Sequence, residues 1–263
     1  MRVLLLGGEG FIGRNIMDSL SQRFECVSTA RRPSPFRENL DNYVKKDVYK
    51  DGISKLFDVY IHLIDAKIDM NQELRLLEQM GGGHVILFSS AVVYANPTSA
   101  YGRRKLALEG IYEKHCRNLT VLRLFNVYGK YQMPSSPGGL VASILHNHIN
   151  GIPTQINDMD VERDFMFAGD VGRRLESIIE DRPTGSHDLA TGKMHSLREL
   201  CRIVEGVVSG KLKITELGTA DVRCPPAEKM IPCNGNYIPL ESGLKMTLDF
   251  FKKNNDLMKK LLS

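Results

Sequence analysis

The chain has no long apolar run. Stretches such as Val3–Leu6 and Val85–Phe88 are only a few residues, far short of the ~20 that a membrane span needs. It also lacks paired cysteines. Cys26, Cys116, Cys201, Cys224 and Cys233 are odd in number and scattered, with no Cys-x-x-Cys pair. They read as reduced thiols, which sets aside a disulfide frame and a zinc site, and no metal is expected. A marked excess of one charge is missing too. The formal net charge is +4, and residues 243–263, with five lysines and two aspartates, carry +3 of it. The remainder is near neutral and shows no basic stripe for nucleic acid. No internal repeat, low-complexity tract or leader precedes or interrupts the strand-like runs, so a soluble, cytoplasmic protein without a membrane partner is expected.

What is present is ordinary globular composition, 42% hydrophobic and 25% charged over 263 residues. That length holds one full core and a small addition. Up to about residue 125, short apolar runs alternate with helix-period stretches. The strand candidates are Val3–Leu6, Cys26–Thr29, Val44–Val48, Val59–Ile64, Val85–Ser89 and Leu119–Leu124. Helical spacing lies between them, as in Ile12–Ile16–Leu20, Leu74–Leu77 and Leu106–Ile111. This alternation predicts an α/β fold, a doubly wound parallel sheet of Rossmann type. After residue 126 the pattern weakens. A loop at 129–139 is followed by a helix (Leu140–Asn150), a strand (Thr154–Ile156), a helix (Val171–Glu180) and a returning strand (His187–Ala190). Pro225, Pro226, Pro232 and Pro239 punctuate a loop-rich stretch. A terminal helix then carries Leu244, Leu248, Phe251, Met258, Leu261 and Leu262 on its packed face.

Two patterns carry chemistry. Gly7-Gly8-Glu9-Gly10-Phe11-Ile12-Gly13 follows the first strand and opens the first helix. There Gly7 makes the tight turn, Gly10 lets a pyrophosphate approach the backbone, and Gly13 allows close packing. The helix N-terminus offers free N–H groups to the phosphates. The second strand ends in Ser28-Thr29-Ala30-Arg31-Arg32, with no carboxylate before Glu38. A carboxylate in that position serves the ribose of NAD, whereas arginines suit a 2′-phosphate. NADP(H) is therefore favoured and NAD(H) possible. The second pattern is Tyr101-Gly-Arg-Arg-Lys105, a phenol and an ammonium one helical turn apart. Ser89-Ser90 ends the fifth strand, where ligands of such sheets gather. Lys105 is expected to bring the Tyr101 pKa down from ~10 toward neutrality, where acid–base catalysis is effective. Arg103 and Arg104 read as solvated helix face.

Six motifs in order resemble the extended short-chain dehydrogenase/reductase family of nucleotide-sugar epimerases, dehydratases and ketoreductases. They are GGEGFIG (7–13), His62-Leu63, SSAVVY (89–94), YGRRK (101–105), RLFNVYG (123–129) and RDFMFAGDV (163–171). GSHDLATG (185–192) extends the likeness, and the last seventy residues match loosely. The resemblance implies Tyr101, Lys105 and Ser90 as catalytic residues, with Ser90 on the substrate oxygen and Lys105 on the nicotinamide ribose. It implies Gly7, Gly10, Phe11, Ile12, Gly13, Arg31, Arg32, Asp47, Val48 and Leu63 along the cofactor. Asn126, Arg163 and, more weakly, Arg223 would meet a nucleotide diphosphate. Arg163 could instead pair with Asp164 or Asp170.

Departures from the family narrow the reaction. Its 4,6-dehydratases carry an acidic pair where Ala91-Val92 stands, so water loss has no evident acid and base here. Its fucose-type epimerase-reductases use a cysteine in the serine strand and a histidine after the NVYG loop, where this chain has Ala91 and Gly138-Gly139. His146 and His148 read as packing or surface residues. What the resemblance leaves is one hydride and one proton: NADPH-dependent reduction of the 4-keto group of a nucleotide-linked 6-deoxysugar. A 4-epimerase with bound NAD is the alternative, and a non-catalytic NADP-binding regulator the more distant one. The expected division is a dinucleotide-binding domain at 1–125 plus about 164–190. A small, discontinuous substrate-binding cap takes 126–163 and 191–263. A homodimer through the tyrosine helix, with Leu106, Leu108 and Ile111, is expected. Ser90 and Tyr101 are separated by only ten residues, 91–100, where many relatives insert a longer substrate loop.

Overall fold

The structure is a computed structural model that describes residues 1–36, 42–65, 69–136, 138–231 and 236–263. Glu38, Pro232 and Cys233 lie outside the described residues. Its first half runs β1 (Arg2–Leu6), α1 (Phe11–Leu20), β2 (Glu25–Ala30), β3 (Tyr43–Lys45), α2 (Val48–Asp51), β4 (Val59–His62), α3 (Met70–Gln79), β5 (His84–Ser90), α4 (Val92–Ala95), α5 (Ala100–His115) and β6 (Leu119–Leu124). There follow β7 (Asn126–Tyr128), α6 (Leu140–Ile149), β8 (Thr154–Ile156), β9 (Glu162–Phe167), α7 (Ala168–Asp181), β10 (Gly185–Leu189), β11 (Met194–Ser196), α8 (Leu197–Val208), β12 (Ile214–Glu216), α9 (Leu240–Lys253) and α10 (Asn255–Leu262).

The strands of the main sheet are parallel and ordered β10-β6-β5-β4-β1-β2-β3. The chain starts at the centre, winds outward to β3, then returns to β4 on the other side of β1. That reversal leaves a crevice at the carboxyl ends of β1 and β4, the ligand position of doubly wound sheets. Successive side chains of a strand point to opposite faces, and here both faces are covered. Val3, Leu5, Val59, Ile61, Ile86 and Phe88 pack toward α1 and α7. Leu4, Leu6, Tyr60, Val85 and Leu87 pack toward α3 and α5. This explains why the strands read as nearly continuous apolar runs. A smaller sheet, β11-β9-β7, and the pair β12-β8 build the rest. Val141, Leu145, Phe165, Leu200, Val204, Leu244 and Phe251 share a separate core there.

Several expectations are corrected. The Val44–Val48 run is a strand only over Tyr43–Lys45, because the Asp47 side chain accepts from the Tyr49 N–H and starts α2 instead. Helix α8 at Leu197–Val208, which the sequence reading did not identify, buries Leu197, Leu200, Cys201 and Val204. The terminal segment is two helices broken at Asn254. Leu244, Leu248, Phe251 and Met258 are buried as expected, whereas Leu261 and Leu262 are exposed. On α5, Leu108 and Ile111 belong to the core, leaving Leu106 as the exposed member of that trio. Among the described residues no helix is long and apolar enough to cross a membrane.

Candidate active site

The crevice is a cavity of about 1080 Å³ whose walls include Gly7, Glu9 and Gly10 from the turn after β1. Arg31, Arg32, Asp47, Val48, Leu63 and Asp65 also line it. Gly7 has φ +80, a left-handed value that favours glycine. A Cβ on Gly13 would stand 2.4 Å from the Gly8 carbonyl oxygen, so only glycine lets the turn fold back onto the first turn of α1. A Cβ on Gly10 would meet nothing closer than 3.6 Å, leaving that edge open to an approaching group. The cradle therefore fits a dinucleotide diphosphate at a helix N-terminus. Phe11, Ile12 and Gly13 do not line the cavity. Phe11 and Ile12 pack against the core beside α1.

Ser90 ends β5, and Tyr101 and Lys105 lie in the first turns of α5. Ser99 caps that helix, its side chain accepting from the Gly102 N–H at 2.9 Å. The Ser90 hydroxyl is close enough to the Tyr101 hydroxyl to act on its ionisation, and the Lys105 ammonium lies 5.5 Å from the Tyr101 ring centre. The three residues are thus together, but the expected effect of Lys105 is not found. Burial, even with Tyr101 37% exposed overall, pushes its pKa up, and the Asp65 carboxylate pushes it further. The Ser90 hydroxyl and the Arg104 charge oppose this and do not prevail. Lys105 is 7% exposed and sits 3.4 Å from the Asp65 carboxylate. It also donates to the Phe88 carbonyl at 3.4 Å. Burial lowers the Lys105 pKa while Asp65 raises it. Arg104 is not solvated helix face as expected. It stands 3.5 Å from Asp65 and 5.2 Å from the Tyr101 ring centre. Asp65, which sequence reasoning missed, was legible only as a carboxylate shortly after His62-Leu63.

Behind Ser90 runs a buried polar chain that was also missed. Ser89 donates to Glu109, which binds Arg123 through two contacts of 2.6 and 3.2 Å. Arg123 donates to the Tyr94 hydroxyl at 2.7 Å, and Tyr94 donates to Asp188 at 2.9 Å. Asp188 then accepts from the backbone N–H groups of Glu228 and Lys229. The end of the serine strand is thereby tied to the C-terminal loop.

Asn126 on β7 donates to the Asp164 carbonyl at 3.3 Å. Arg163 on the neighbouring β9 pairs at 2.6 Å with Asp221, not with Asp164 or Asp170. Its Nε is buried with no partner among the described residues. The other two carboxylates are committed elsewhere. Asp164 accepts from the Thr191 and Gly192 N–H groups, and Asp170 pairs with Arg173 and accepts from the Ile238 N–H. Arg223 is apart from this group, its side chain 78% exposed and 3.9 Å from Asp158. His146 is buried, as read from the sequence. Burial raises the thiol pKa of Cys26 to about 12 and of Cys201 and Cys224 to about 11.

Sheet order, covering helices and crevice define a Rossmann-like α/β protein. The family model "NAD dependent epimerase/dehydratase family" matches residues 74–188, from α3 through the serine strand and the tyrosine helix to β10. A candidate UDP-glucose 4-epimerase of Methanocaldococcus jannaschii is 25% identical over 248 residues, 77% of this chain and 81% of that protein. The UDP-2-acetamido-2,6-beta-L-arabino-hexul-4-ose reductase of Pseudomonas aeruginosa is 28% identical over 201 residues, 69% of this chain and 50% of that protein. The structure of MoeE5 in complex with UDP-glucuronic acid and NAD shares the fold, with a TM-score of 0.81 at 23% identity. That match covers 97% of this chain and 100% of that one. Residues 74–188 thus resemble the NAD dependent epimerase/dehydratase family, and the Rossmann-like fold is shared over nearly the whole chain.

Proposed function

We propose that the protein reduces the 4-keto group of a nucleotide-linked 6-deoxysugar, with Tyr101 delivering the proton. The observation that supports this reading is the grouping of Ser90, Tyr101 and the buried Lys105 beside Asp65, which lines the crevice. A reduced nicotinamide dinucleotide, when bound, supplies the hydride. Ser90 would orient the ketone oxygen, Tyr101 would protonate it, and Lys105 would hold the nicotinamide ribose. Tyr101, whose raised pKa keeps its hydroxyl protonated at neutral pH, has a proton to give to a developing alkoxide, which is the stronger base. Asn126 and Arg163 would receive the nucleotide diphosphate, with Asp221 giving way at Arg163, since guanidinium groups bind phosphate bidentately. In this reading residues 126–163 and 191–263 carry the substrate, and 1–125 with 164–190 the cofactor. Arg31 and Arg32, on the wall of the crevice, speak for NADP(H). A homodimer would use the tyrosine helix, with Leu106 its exposed apolar residue.

The test is to incubate the pure chain with keto-sugar nucleotides and NADPH or NADH. The expected result is stoichiometric cofactor oxidation with a new alcohol in the mass spectrum. Tyr101→Phe is expected to lower turnover by roughly 10²–10⁴-fold while cofactor binding persists. Interconversion of two sugars without net cofactor change would instead establish a 4-epimerase, the reading favoured by the Methanocaldococcus relative. Unchanged turnover in Tyr101→Phe would remove the tyrosine from the chemistry.

A further inference from the structure

We infer that Glu9, rather than Arg31 or Arg32, reads the adenosine ribose of the cofactor and that its carboxylate selects NAD(H) over NADP(H). The inference rests on the dinucleotide reading of the crevice. Glu9 stands inside the glycine turn, where its side chain is free to follow either wall. It follows β2. One carboxylate oxygen accepts from the Ser28 hydroxyl at 3.2 Å, and the other from the Ser34 N–H at 3.0 Å. Ser28 is in β2, and Ser34 lies just past the arginine pair that ends it. Glu9 is 6% exposed and lines the cavity. The acidic group that the second strand does not supply is thus brought to the end of that strand by the turn itself.

The chemistry separates the two cofactors. A carboxylate oxygen that accepts one hydrogen bond retains a lone pair for a second. A ribose diol has hydroxyls to donate to it. A 2′-phosphate is anionic and presents no equivalent pair of donors, so it meets a fixed negative charge. Burial keeps that charge from being screened, whereas exposed cations are screened by salt and solvent. Arg31 and Arg32 are exposed. They share the cavity wall with Lys46 and Lys50. These cations attract the diphosphate, which both cofactors carry, and so raise affinity without choosing between them. The direct hydrogen-bond partners of Glu9, a hydroxyl and an amide, are neutral, so its carboxylate keeps its charge for the group that approaches it.

The test is equilibrium binding of NADH and NADPH to the full chain, read by nicotinamide fluorescence and by calorimetry with no substrate present. Wild type is expected to bind NADH tighter by about tenfold or more, a ratio worth 1.4 kcal/mol per decade. Glu9→Gln and Glu9→Ser are expected to bring the ratio to parity or below, with NADPH affinity rising in absolute terms. A purely structural role cannot produce that gain. Arg31→Ala/Arg32→Ala is expected to weaken both cofactors by similar factors. A wild-type preference for NADPH, or loss of NADPH alone in the arginine variant, overturns the inference while leaving the proposed reduction intact. Equal losses of both cofactors in the Glu9 variants overturn it as well. Failure of either cofactor to bind wild type removes the dinucleotide reading and the proposed function together.

Discussion

Glu109→Gln tests the buried chain behind Ser90. Glu109 is 3% exposed, and its partner Arg123 keeps 14% of its side chain accessible. Gln still accepts from Ser89 but removes the charge that Arg123 faces. Breaking one side of a buried, hydrogen-bonded ion pair costs about 3–5 kcal/mol, because the other charge is left uncompensated. The partial access of Arg123 to water sets the expectation near the lower end, about 3 kcal/mol. At 2–4 °C per kcal/mol for a chain of this size, the unfolding midpoint should fall by roughly 6–12 °C. The double change Glu109→Leu/Arg123→Met removes both charges together, and similar replacements are often neutral. It strands the Ser89 hydroxyl and takes the Arg123 donor from the Tyr94 hydroxyl, which still donates to Asp188, each loss worth about 1 kcal/mol, so the double variant should be more stable than Glu109→Gln. Urea unfolding followed by circular dichroism measures all of these. A loss below about 1 kcal/mol for Glu109→Gln would refute the reasoning, since that is what an exposed pair shows. So would a double variant whose loss equals the sum of the two singles.

Two further outcomes follow from titrating groups. His84, 2% exposed and bonded to Thr120, has its pKa pushed down to about 4 by burial first and the Arg182 charge second. The unfolded chain takes up a proton near 6.5, which the native state refuses until about 4. Stability should therefore fall as pH drops from 6.5 to 4, by roughly 2–3 kcal/mol. His84→Gln should flatten that slope in urea titrations at each pH, and an unchanged slope counts against this origin. Just past the end of β4, Asp65→Asn removes a negative charge that, after burial, raises the Tyr101 pKa. The Tyr101 midpoint, read as the ultraviolet tyrosinate difference between each form and its Tyr101→Phe counterpart, should move down in Asp65→Asn and hold in Asp65→Glu. A midpoint indifferent to Asp65 would show that the carboxylate does not act on Tyr101.

The parallel sheet was legible because its signals are local. Each strand is a short apolar run bounded by turn residues, and each covering helix carries its apolar stripe at helical spacing. The glycine turn and the Tyr101–Lys105 pair were legible for the same reason, being fixed by positions a few residues apart. Helix α8 was legible but unread, although Ser196 and Glu199 form a capping pattern ahead of Leu197, Leu200, Cys201 and Val204. The environment of Tyr101 was not legible. Its pKa direction depends on Asp65, which arrives from the end of β4, and on burial by elements distant in sequence. The same holds for Arg163, where sequence offered the adjacent Asp164 and the fold supplied Asp221. Glu9 was in plain view, yet nothing local says whether a turn carboxylate faces solvent or folds onto β2.

The short connection between Ser90 and Tyr101 acquires a physical meaning from its packing. It is a single turn, α4, followed directly by the cap of α5, and it lies so close to that helix that a Cβ on Gly102 would stand 2.3 Å from the Asn96 carbonyl oxygen. A connection held this tightly cannot swing out to wall the pocket, which agrees with Tyr101 remaining 37% exposed. The side of Ser90 that it leaves open is approached instead by the C-terminal loop. Asp221 holds Arg163, Cys224 contacts the Ala91 carbonyl at 3.8 Å, and the backbone at 228–229 is bound by Asp188. The part of the chain with the loosest family likeness is therefore the part seated on the serine strand. Because its anchor, Asp188, is the last link of the chain that begins at Ser89, a change in that loop reaches the serine strand through hydrogen bonds that pass by way of Glu109 on the tyrosine helix, α5.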